Sequence, residues 1–357
     1  MSRVLIMAGG TGGHVFPGLA VARRLLEKQV QVVWLGTQRG LEARAVPASG
    51  LAIDMEWITI QGVRRKGWLG WLLLPFTLLY AMAQVFRVLR RRKPDAVLSM
   101  GGFVAGPGGL MAWITHTPLL IHEQNAIPGM TNKWLALLAD QVLSGFPDAF
   151  GSHIAARPVG NPVRDEIARL SPPEQRFADR GGCLHLLVVG GSQGAKIFND
   201  VIPDAVKTLP AGSCPEVWHQ CGRNAAARVT MAYDGVPAKV TEFIDDMAAA
   251  YAWADVILCR AGAMTIAELA ASGSAAILVP YLQAVDDHQT ANARFLASRD
   301  AAVLVPQPEF TAARVRELLE GFSANRELLL KMARAARHLA VTDAAETVAN
   351  LCLEVAT

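Results

Sequence analysis

The sequence predicts an α/β protein of two domains, each built around a parallel β-sheet. Short runs rich in Val, Ile and Leu alternate with segments of helical period, which is typical of βαβ units. Both halves also begin alike, because a strand-like run enters a glycine-rich turn in VLIMAGGTGG and again in LLVVGGSQGA. At 357 residues the chain exceeds what one hydrophobic core usually organises. We therefore expect two Rossmann-like domains that face each other across a deep cleft.

The strand-like runs set the order of the elements along the chain. In the first half they cover residues 4–8, 30–35, 96–100 and 119–121. In the second half they cover residues 184–189, 217–220, 256–259, 276–279 and 302–305. Such runs need no polar alternation when helices cover both faces of the sheet. Pro, Gly and charge interrupt the pattern over 158–173, so we predict a first domain of 1–162 and a second of 163–342.

Composition and charge limit the kinds of function. The chain has 34 basic and 31 acidic residues, and its net charge of +3 conceals a local excess. Between positions 61 and 95 the only acid is Asp95, while the eight basic residues are Arg64, Arg65, Lys66, Arg87, Arg90, Arg91, Arg92 and Lys93. A nucleic-acid binder would spread its basic excess over a docking face, whereas this excess brackets an apolar segment. The pattern therefore favours an anionic membrane surface.

That apolar segment, GWLGWLLLPFTLLYAMAQVF at 67–86, imitates a transmembrane helix. Its twenty uncharged residues are enough to span a bilayer. Pro75 near the middle, Gly67 and Gly70 at the start, and basic clusters on both sides argue against a span. We predict one or two helices that pack partly on the sheet and expose a Trp/Leu/Phe-rich side to lipid headgroups. The alternative is a wholly buried core helix.

The cysteines and the N-terminus indicate the compartment. The odd number of cysteines argues against a disulfide framework. None has metal-binding spacing, and they stand at Cys183, Cys214, Cys221, Cys259 and Cys352. The apolar run at 4–8 is too short for the core of a signal peptide. We therefore expect a protein of the reducing cytosol.

Glycine-rich loops follow three of the predicted strands and indicate phosphate binding. The first covers 9–13 and leads through His14 into a helix whose first turn is marked by Pro17. The others cover 101–109 and 190–196. Glycine lets the backbone approach an anion closely, and a helix N-terminus adds unpaired N–H groups and a partial positive charge.

The same loops disfavour two common classes of nucleotide enzyme. The dinucleotide fingerprint would need a glycine at Val15, and the second strand ends at Thr37 without the acid that holds an NAD ribose. The loop at 190–196 misses the P-loop spacing, so ATP hydrolysis is not indicated.

Polar residues follow other predicted strands. HEQN at 122–125 comes directly after an apolar run, and four such residues are costly to bury unless they face a site or each other. CRAGAMTIAE at 259–268 turns a strand into a helix and puts Glu268 where its carboxylate could accept hydrogen bonds from a ribose. DDHQ at 286–289 precedes a helix and could be only a cap. No DxD metal-binding motif occurs, so helix dipoles and Arg side chains would neutralise a leaving diphosphate.

Long motifs resemble the MurG family of glycosyltransferases from one end of the chain to the other. They are GGTGGHVFPGLAVA at 9–22, GGFVAGP at 101–107, HEQN at 122–125, GNPVR at 160–164, GGSQGA at 190–195, TEFIDDMAAAYAWADV at 241–256 and DHQTANA at 287–293. The resemblance implies a GT-B fold and inverting transfer without a metal cofactor. It implies UDP-GlcNAc as donor, lipid I as acceptor and lipid II as product. It also implies that the C-terminal helix, 343–357, returns to the first domain.

The resemblance further implies which residues bind the donor. Ser192 would contact the diphosphate, Ile244 the uracil and Glu268 the ribose. The helix start facing the phosphates would comprise Ala263, Met264, Thr265, Ile266 and Ala267. His288 and Gln289 would read the sugar hydroxyls, and Arg164 is similar to the family's cleft arginine. Ala261 stands where many members have Ser, so a hydroxyl contact to phosphate would be absent.

Residues of the first domain would contact the sugar and the acceptor. Thr11, Gly12, Gly13 and Asn125 are implied for the sugar, and Gly10, Gly13, Gly102 and Gly106 for the acceptor diphosphate. The acceptor 4-hydroxyl must lose a proton as it attacks the anomeric carbon, so a base is needed. His14 is our candidate, and Glu123 is the competing one.

Alternative functions remain open on the sequence. A UDP-GlcNAc 2-epimerase would share the fold and the nucleotide but would have no use for the basic segment at 64–93. An NAD-dependent oxidoreductase and a non-catalytic, membrane-associated binding module are the other two. The family expectation is a peripheral protein on the cytoplasmic face of the inner membrane, with cell-wall synthesis and division proteins as partners.

Overall fold

The computed structural model describes residues 2–60, 74–178, 180–191, 194–210 and 213–356. The chain divides into two compact units, Met1–Arg164 with Thr342–Thr357, and Asp165–Val341. We call them unit 1 and unit 2. Each has its own parallel sheet and its own hydrophobic core, so the predicted α/β class is confirmed.

Seven parallel strands form the sheet of unit 1 within the described residues. They are β1 Arg3–Ala8, β2 Gln31–Gly36, β3 Ile53–Trp57, β4 Ala96–Gly101, β5 Leu119–Glu123, β6 Gln141–Ser144 and β7 Ala156–Pro158. Their order is β3-β2-β1-β4-β5-β6-β7, so the direction of winding reverses between β1 and β4. Because these two strands pair in parallel, the loops that follow them lie side by side. Such a reversal is where open parallel sheets bind ligands.

The helices of unit 1 cover both faces of this sheet. They are α1 Gly12–Glu27, α2 Glu42–Ala48, α3 Leu74–Arg92, α4 Ala105–Ile114 and α5 Met130–Leu135. Pro17 lies inside α1, five residues after its first residue, so our expectation that Pro17 marks the first turn is wrong. The glycine backbone at 12 and 13 already adopts the helix, and the chain gives up one hydrogen bond at Pro17.

Unit 2 repeats the architecture with six strands in its described part. They are β8 His185–Val189, β9 Glu216–Gln220, β10 Ala238–Thr241, β11 Val256–Cys259, β12 Ala275–Leu278 and β13 Ala302–Leu304. Their order is β10-β9-β8-β11-β12-β13, with the reversal between β8 and β11. The helices are α6 Asp165–Ala168, α7 Pro173–Ala178, α8 Lys196–Lys207, α9 Ala226–Ala232, α10 Met247–Trp253, α11 Ala263–Ser272, α12 His288–Ala297, α13 Ala312–Ala324 and α14 Arg326–His338.

The C-terminal helix, α15 Ala344–Glu354, belongs to unit 1. It packs on α1, and its side chains Val348, Leu351 and Cys352 are buried in the core formed with β1, β2 and β4. Apolar burial of this kind contributes roughly 1.5–3 kcal/mol per large side chain. The chain therefore needs its last helix to complete the core of its first unit.

Four strands were absent from the sequence prediction, namely β3, β6, β7 and β10. All four lie at or next to a sheet edge. The strands IDMEW and AKVT are the two outermost ones on their side, and most of their residues are only partly buried. Edge strands of this kind tolerate polar residues, so they lack the continuous apolar run by which the inner strands were found.

Helix α3 contains the described part of the apolar segment. It begins at Leu74, and residues 61–73 lie outside the described residues, including Arg64, Arg65 and Lys66. One side of α3 is buried on the sheet through Ala81, Val85, Val88 and Leu89, which contradicts neither a surface helix nor its predicted exposed side. None of the helices in the described ranges has the length and apolarity that crossing a membrane requires.

Candidate functional site

The first glycine loop of unit 1 connects β1 to the start of α1 at the reversal of the sheet. Gly10 has a φ of +89°, which a residue with a Cβ rarely adopts. Thr11 is the N-cap of α1 but makes no capping side-chain bond, and the first turn holds no acid. The backbone of Gly12 and Gly13 therefore offers the positive end of a sixteen-residue helix to an anion.

The second glycine loop of unit 1 lies directly against the first. Gly101 and Gly102 have φ values of +101° and +87°. A Cβ at Gly102 would collide with the carbonyl of Gly9, and a Cβ at Gly101 would lie 2.9 Å from Cδ2 of His14. The loop leads into α4, whose first turn, with Gly106, holds no acid and has no side-chain cap. Two helix N-termini therefore meet beside His14.

His14 is partly buried between these two loops. Its Nδ1 lies 3.2 Å from the Gly9 carbonyl oxygen and 3.3 Å from Thr11 Oγ1. A carbonyl oxygen only accepts, so the hydrogen bond to Gly9 places the proton of a neutral ring on Nδ1 and leaves the lone pair on Nε2. Burial lowers the pKa of His14 below 6.5, while the carboxylates of Glu123 and Glu42 and the bond to Gly9 act in the opposite direction. The ring is therefore neutral near pH 7.

Gly10 already has a partner within the protein. Its N–H donates to Glu42 Oε2 at 2.9 Å, and Glu42 is fully buried. The sequence analysis did not identify Glu42, because nothing in LEARA at 41–45 distinguishes this carboxylate from a solvated one on a helix. The expectation that the Gly10 N–H binds the acceptor diphosphate needs correction, since that donor is occupied by a carboxylate.

The HEQN residues mostly face one another. His122, Glu123 and Gln124 are buried, and the first two belong to β5, which runs further than the apolar pattern indicated. The Glu123 carboxylate accepts hydrogen bonds from Asn125 N at 2.9 Å, Asn125 Nδ2 at 3.1 Å, Gly129 N at 3.0 Å and Asn132 Nδ2 at 2.9 Å. These four donors occupy Glu123 and fix the partly exposed Asn125.

The GNPVR segment is bound to the HEQN residues. His122 Nε2 lies 2.9 Å from the Gly160 carbonyl oxygen, and Asn161 Nδ2 donates to the Gln124 carbonyl at 3.0 Å. Two motifs more than thirty residues apart thereby form one buried polar network. Arg164, the last residue of this segment in unit 1, is partly buried.

Unit 2 has an equivalent pair of loops at its own reversal. The loop after β8 contains Gly191 and Gly194 with φ values of +81° and +73°, and a Cβ at Gly194 would collide with the Cys221 carbonyl. Ser192 lies outside the described residues. The loop after β11 leads through the N-cap Gly262 into α11, which has neither a capping side chain nor an acid in its first turn. Both loops thus end at uncompensated helix N-termini.

The predicted donor residues on α11 differ in exposure. Met264, Thr265, Ala267 and Glu268 are partly exposed, while Ala263 is nearly buried. Ile266 is fully buried in unit 2 and its N–H donates to Gly262, so it has neither a side chain nor a backbone donor to offer a ligand. Its predicted contact is corrected to a packing role.

Glu268 and Ile244 complete the predicted nucleotide residues of unit 2. Tyr251 Oη donates to Glu268 Oε2 at 3.1 Å, which orients that carboxylate. Ile244 is only 4% exposed, so it could contact a ligand mainly through its backbone. Ala261, the departure from the family pattern, is buried, and its carbonyl accepts from Asn292 Nδ2 at 3.1 Å.

A cavity of about 680 Å³ opens at this edge of unit 2. Its lining includes Gly190, Gly194, Lys196, Arg260, Tyr281 and Gln289. Gln289 Oε1 accepts from Tyr281 N at 2.9 Å, and His288 is the first residue of α12. Thr290 Oγ1 donates to the N-cap Asp287 at 2.6 Å, so the DDHQ segment supplies a helix start as well as a cavity residue.

Arg260 and Tyr281 were not among the predicted site residues. Arg260 Nη1 donates to Gln307 Oε1 at 2.7 Å and to the Val279 carbonyl at 3.1 Å, and its guanidinium lies 5.2 Å from the centre of the Tyr281 ring. The position of Arg260 directly after β11 was a usable signal, because the carboxyl ends of parallel strands form the binding edge. Tyr281 follows β12 in the same way.

Potential metal ligands do not cluster in the described parts of the chain. No group of three or more His, Cys, Asp or Glu side chains there has the arrangement that could hold a metal ion.

The sequence matches one family over most of its length. The model of the glycosyltransferase family 28 N-terminal domain matches residues 4–144, and that of the family 28 C-terminal domain matches residues 185–348. The UDP-N-acetylglucosamine--N-acetylmuramyl-(pentapeptide) pyrophosphoryl-undecaprenol N-acetylglucosamine transferase of Nitrosococcus oceani is 53% identical over 99% of both chains. The transferase of the same name from Marinobacter nauticus is 50% identical over 99% of this chain and 98% of its own.

Solved structures agree with this match. The crystal structure of Acinetobacter baumannii MurG has a TM-score of 0.86 at 40% identity, covering 99% of this chain and 100% of its own. A UDP-GlcNAc 2-epimerase from Neisseria meningitidis, bound to UDP-GlcNAc, has a TM-score of 0.70 at 14% identity, covering 99% of this chain and 100% of its own. The likeness to the epimerase shows the fold alone.

Proposed function

The chain belongs to glycosyltransferase family 28 and within it to the MurG family, and from this membership we propose its reaction. It transfers N-acetylglucosamine from UDP-GlcNAc to the 4-hydroxyl of MurNAc in lipid I and yields lipid II. The observation that carries this function is the end-to-end identity of about half the residues with two transferases of that name. The epimerase alternative has only a shared fold in its favour, and the oxidoreductase lacks the glycine fingerprint and the ribose acid.

In this proposal unit 2 binds the donor. The N-termini of α8 and α11 carry no acid and no capping side chain, which suits a diphosphate. Glu268 accepts from the ribose hydroxyls, since its carboxylate is partly exposed and held by Tyr251. Gln289 and His288 contact the sugar, and Ser192, Ile244 and the backbone of 263–265 keep the contacts that family resemblance implies. Arg164 remains proposed for the diphosphate.

Unit 1 binds the acceptor in this proposal. The N-termini of α1 and α4 meet where the two glycine loops touch, and Gly12, Gly13, Gly102 and Gly106 line that place. Their dipoles favour the diphosphate of the lipid carrier, and Thr11 and Asn125 contact sugar hydroxyls. Positive helix ends of this kind neutralise phosphate charge, so the scheme requires no metal cofactor.

His14 is the proposed base. The hydrogen bond to Gly9 leaves the Nε2 lone pair available, and the lowered pKa keeps the ring neutral near pH 7. Nε2 then accepts the proton of the 4-hydroxyl as its oxygen attacks the anomeric carbon, and the bond to UDP breaks on the opposite face. Glu123 is the weaker candidate, because four donors already occupy its carboxylate.

We also propose that unit 1 binds the cytoplasmic face of the inner membrane peripherally. Three helices packed in succession, α3, α4 and α5, expose large apolar side chains. Those more than 40% exposed are Phe76, Leu79, Tyr80, Phe86, Trp113, Ile114, Met130, Trp134 and Leu137. Arg87, Arg90 and Lys133 lie exposed on the same helices. Apolar side chains beside basic ones suit an anionic lipid surface, and the same surface is open to cell-wall synthesis and division proteins.

One experiment tests the reaction. Purified protein is incubated with radiolabelled UDP-GlcNAc, with and without a polyprenyl-diphosphate-linked muramyl peptide, and UDP and labelled lipid are measured. We expect UDP release that requires the acceptor and equals the label recovered in lipid. UDP release that ignores the acceptor, or formation of the 2-epimer, would contradict the transferase.

A further inference from the structure

Glu42, the first residue of α2, is a fully buried carboxylate in unit 1. Oε1 accepts from Thr37 N at 2.8 Å and from Thr37 Oγ1 at 2.7 Å. Oε2 accepts from Gly10 N at 2.9 Å. Burying a charge is costly unless it is hydrogen-bonded, and these three donors, two of them backbone groups, supply the compensation.

Three glycines make the space that this carboxylate occupies. A Cβ at Gly9 would lie 2.8 Å from Glu42 Oε1, and a Cβ at Gly36 would lie 2.6 Å from its Cγ. A Cβ at Gly40 would collide with both carboxylate oxygens. These glycines come from the end of β1, the end of β2 and the loop before α2. The carboxylate therefore joins three backbone segments at the carboxyl edge of the sheet.

Glu42 acts on the same backbone that orients His14. The Gly10 N–H bound by Glu42 belongs to the peptide unit whose carbonyl is that of Gly9, and this carbonyl accepts from His14 Nδ1 at 3.2 Å. The amide nitrogen and the carbonyl of one peptide are held in one plane. Fixing the nitrogen therefore fixes the direction in which the oxygen meets the imidazole.

We propose that Glu42 is a positioning residue for the transfer, which fixes the Gly9–Gly10 peptide and through it the orientation of His14. The inference rests on the proposed role of His14 as base. Glu42 does not contact substrate in this scheme. Its negative charge also favours the protonated form of His14, together with that of Glu123 on β5, against the effect of burial on the pKa.

The central test is Glu42→Gln, which keeps the size of the side chain and replaces one acceptor oxygen by an NH2 group that faces an N–H donor. We expect kcat to fall about tenfold to a hundredfold, because small misplacements of a catalytic group cost this much. KM for UDP-GlcNAc stays unchanged, since unit 2 binds the donor. The acid limb of the kcat/KM profile moves to lower pH, because loss of the nearby negative charge lowers the pKa of His14.

Two further variants separate position from charge. Glu42→Asp keeps the charge but is one methylene shorter, so we expect a lower kcat with the acid limb nearer its original pH. Asp255→Asn is the matched control in unit 2, where a buried carboxylate accepts from His185 N at 2.9 Å and from Arg326 at 2.7 Å. It is expected to lower the Tm and to leave kcat and the pH profile unchanged.

The outcomes distinguish this inference from the function on which it rests. Wild-type kcat and an unshifted acid limb in folded Glu42→Gln overturn the positioning role, while acceptor-dependent transfer by the unsubstituted protein leaves the function standing. Absence of that transfer in the unsubstituted protein overturns the function itself. If Glu42→Gln does not fold, Thr37→Val decides, since it removes one donor to Oε1: a lower kcat at unchanged donor KM supports the role, and wild-type kcat overturns it.

Discussion

Arg92 on α3 donates a hydrogen bond of 2.6 Å from Nε to Glu56 Oε1 on β3, and the Glu56 side chain is only 8% exposed. Arg91 pairs with the same carboxylate, and Arg92 also reaches Asp54 at 2.8 Å. Basic residues at the end of α3 thus fasten the helix to the sheet edge. The sequence had assigned the whole cluster to the membrane, so Arg91 and Arg92 need a second interpretation.

Replacing Arg92 should therefore weaken the fold. Arg92→Ala leaves the buried Glu56 carboxylate with fewer partners, and we expect the free energy of unfolding to fall by about 1–3 kcal/mol. Urea denaturation measures it. Arg87→Ala, an exposed position on the same helix, is the control and should change stability by less than about 0.5 kcal/mol. Equal stability of the two variants would contradict the anchoring role.

Membrane binding should depend on the other basic residues of α3. We expect the double substitution Arg87→Glu and Arg90→Glu to weaken binding to anionic vesicles by more than about tenfold, since each basic residue near such a surface contributes about 1 kcal/mol. Cosedimentation with phosphatidylglycerol vesicles measures binding. Lys331→Glu, on α14 of unit 2, makes a charge reversal elsewhere and should bind normally. Unchanged sedimentation of the double variant would exclude these arginines from the lipid contact.

The pH profile should identify the base. A base must be unprotonated, so activity is lost as pH falls through the pKa of His14, which burial holds below 6.5. We expect His14→Ala to lower kcat by about 10²–10⁴ and to abolish this acid limb. Glu123→Gln should retain a limb, displaced to lower pH because a nearby negative charge is removed. A limb that survives in His14→Ala and disappears in Glu123→Gln would make Glu123 the base.

Glu268 should act on donor binding. Loss of a hydrogen-bonding carboxylate removes about 1.5–3 kcal/mol, so Glu268→Ala should raise KM for UDP-GlcNAc about tenfold to a hundredfold with little change in kcat. Initial rates at saturating acceptor measure both. Tyr251→Phe removes only the hydroxyl that donates to Glu268 and should raise KM less. A normal KM with a collapsed kcat in Glu268→Ala would argue against the ribose contact.

Contact between the two glycine loops should appear in stability. Gly102 and Gly151 both have positive φ, +87° and +66°, but a Cβ at Gly102 collides with Gly9 while a Cβ at Gly151 meets nothing within 4 Å. The backbone conformation alone costs about 1–2 kcal/mol. We expect Gly102→Ala to lower the Tm clearly more than Gly151→Ala. Similar Tm values would mean that the loops can separate without loss.

The sequence by itself determined the inner strands, the glycine loops and the family. Strands such as β1, β4, β8 and β11 are buried on both faces, so continuous apolar runs betray them. Glycines at the strand ends signal their backbone conformations directly, because few other residues adopt a positive φ. These features are local, and a local pattern can be read without knowing what packs against it.

Only the tertiary structure decided which partner each polar group has. Glu42 takes its donors from Thr37 and from Gly10, the latter 32 residues away, and Glu56 takes Arg91 and Arg92 from a helix more than thirty residues further along. A carboxylate on a solvated helix and one buried against three glycines look the same in a sequence. The energy of a charge depends on its solvation and its neighbours, and folding alone sets both.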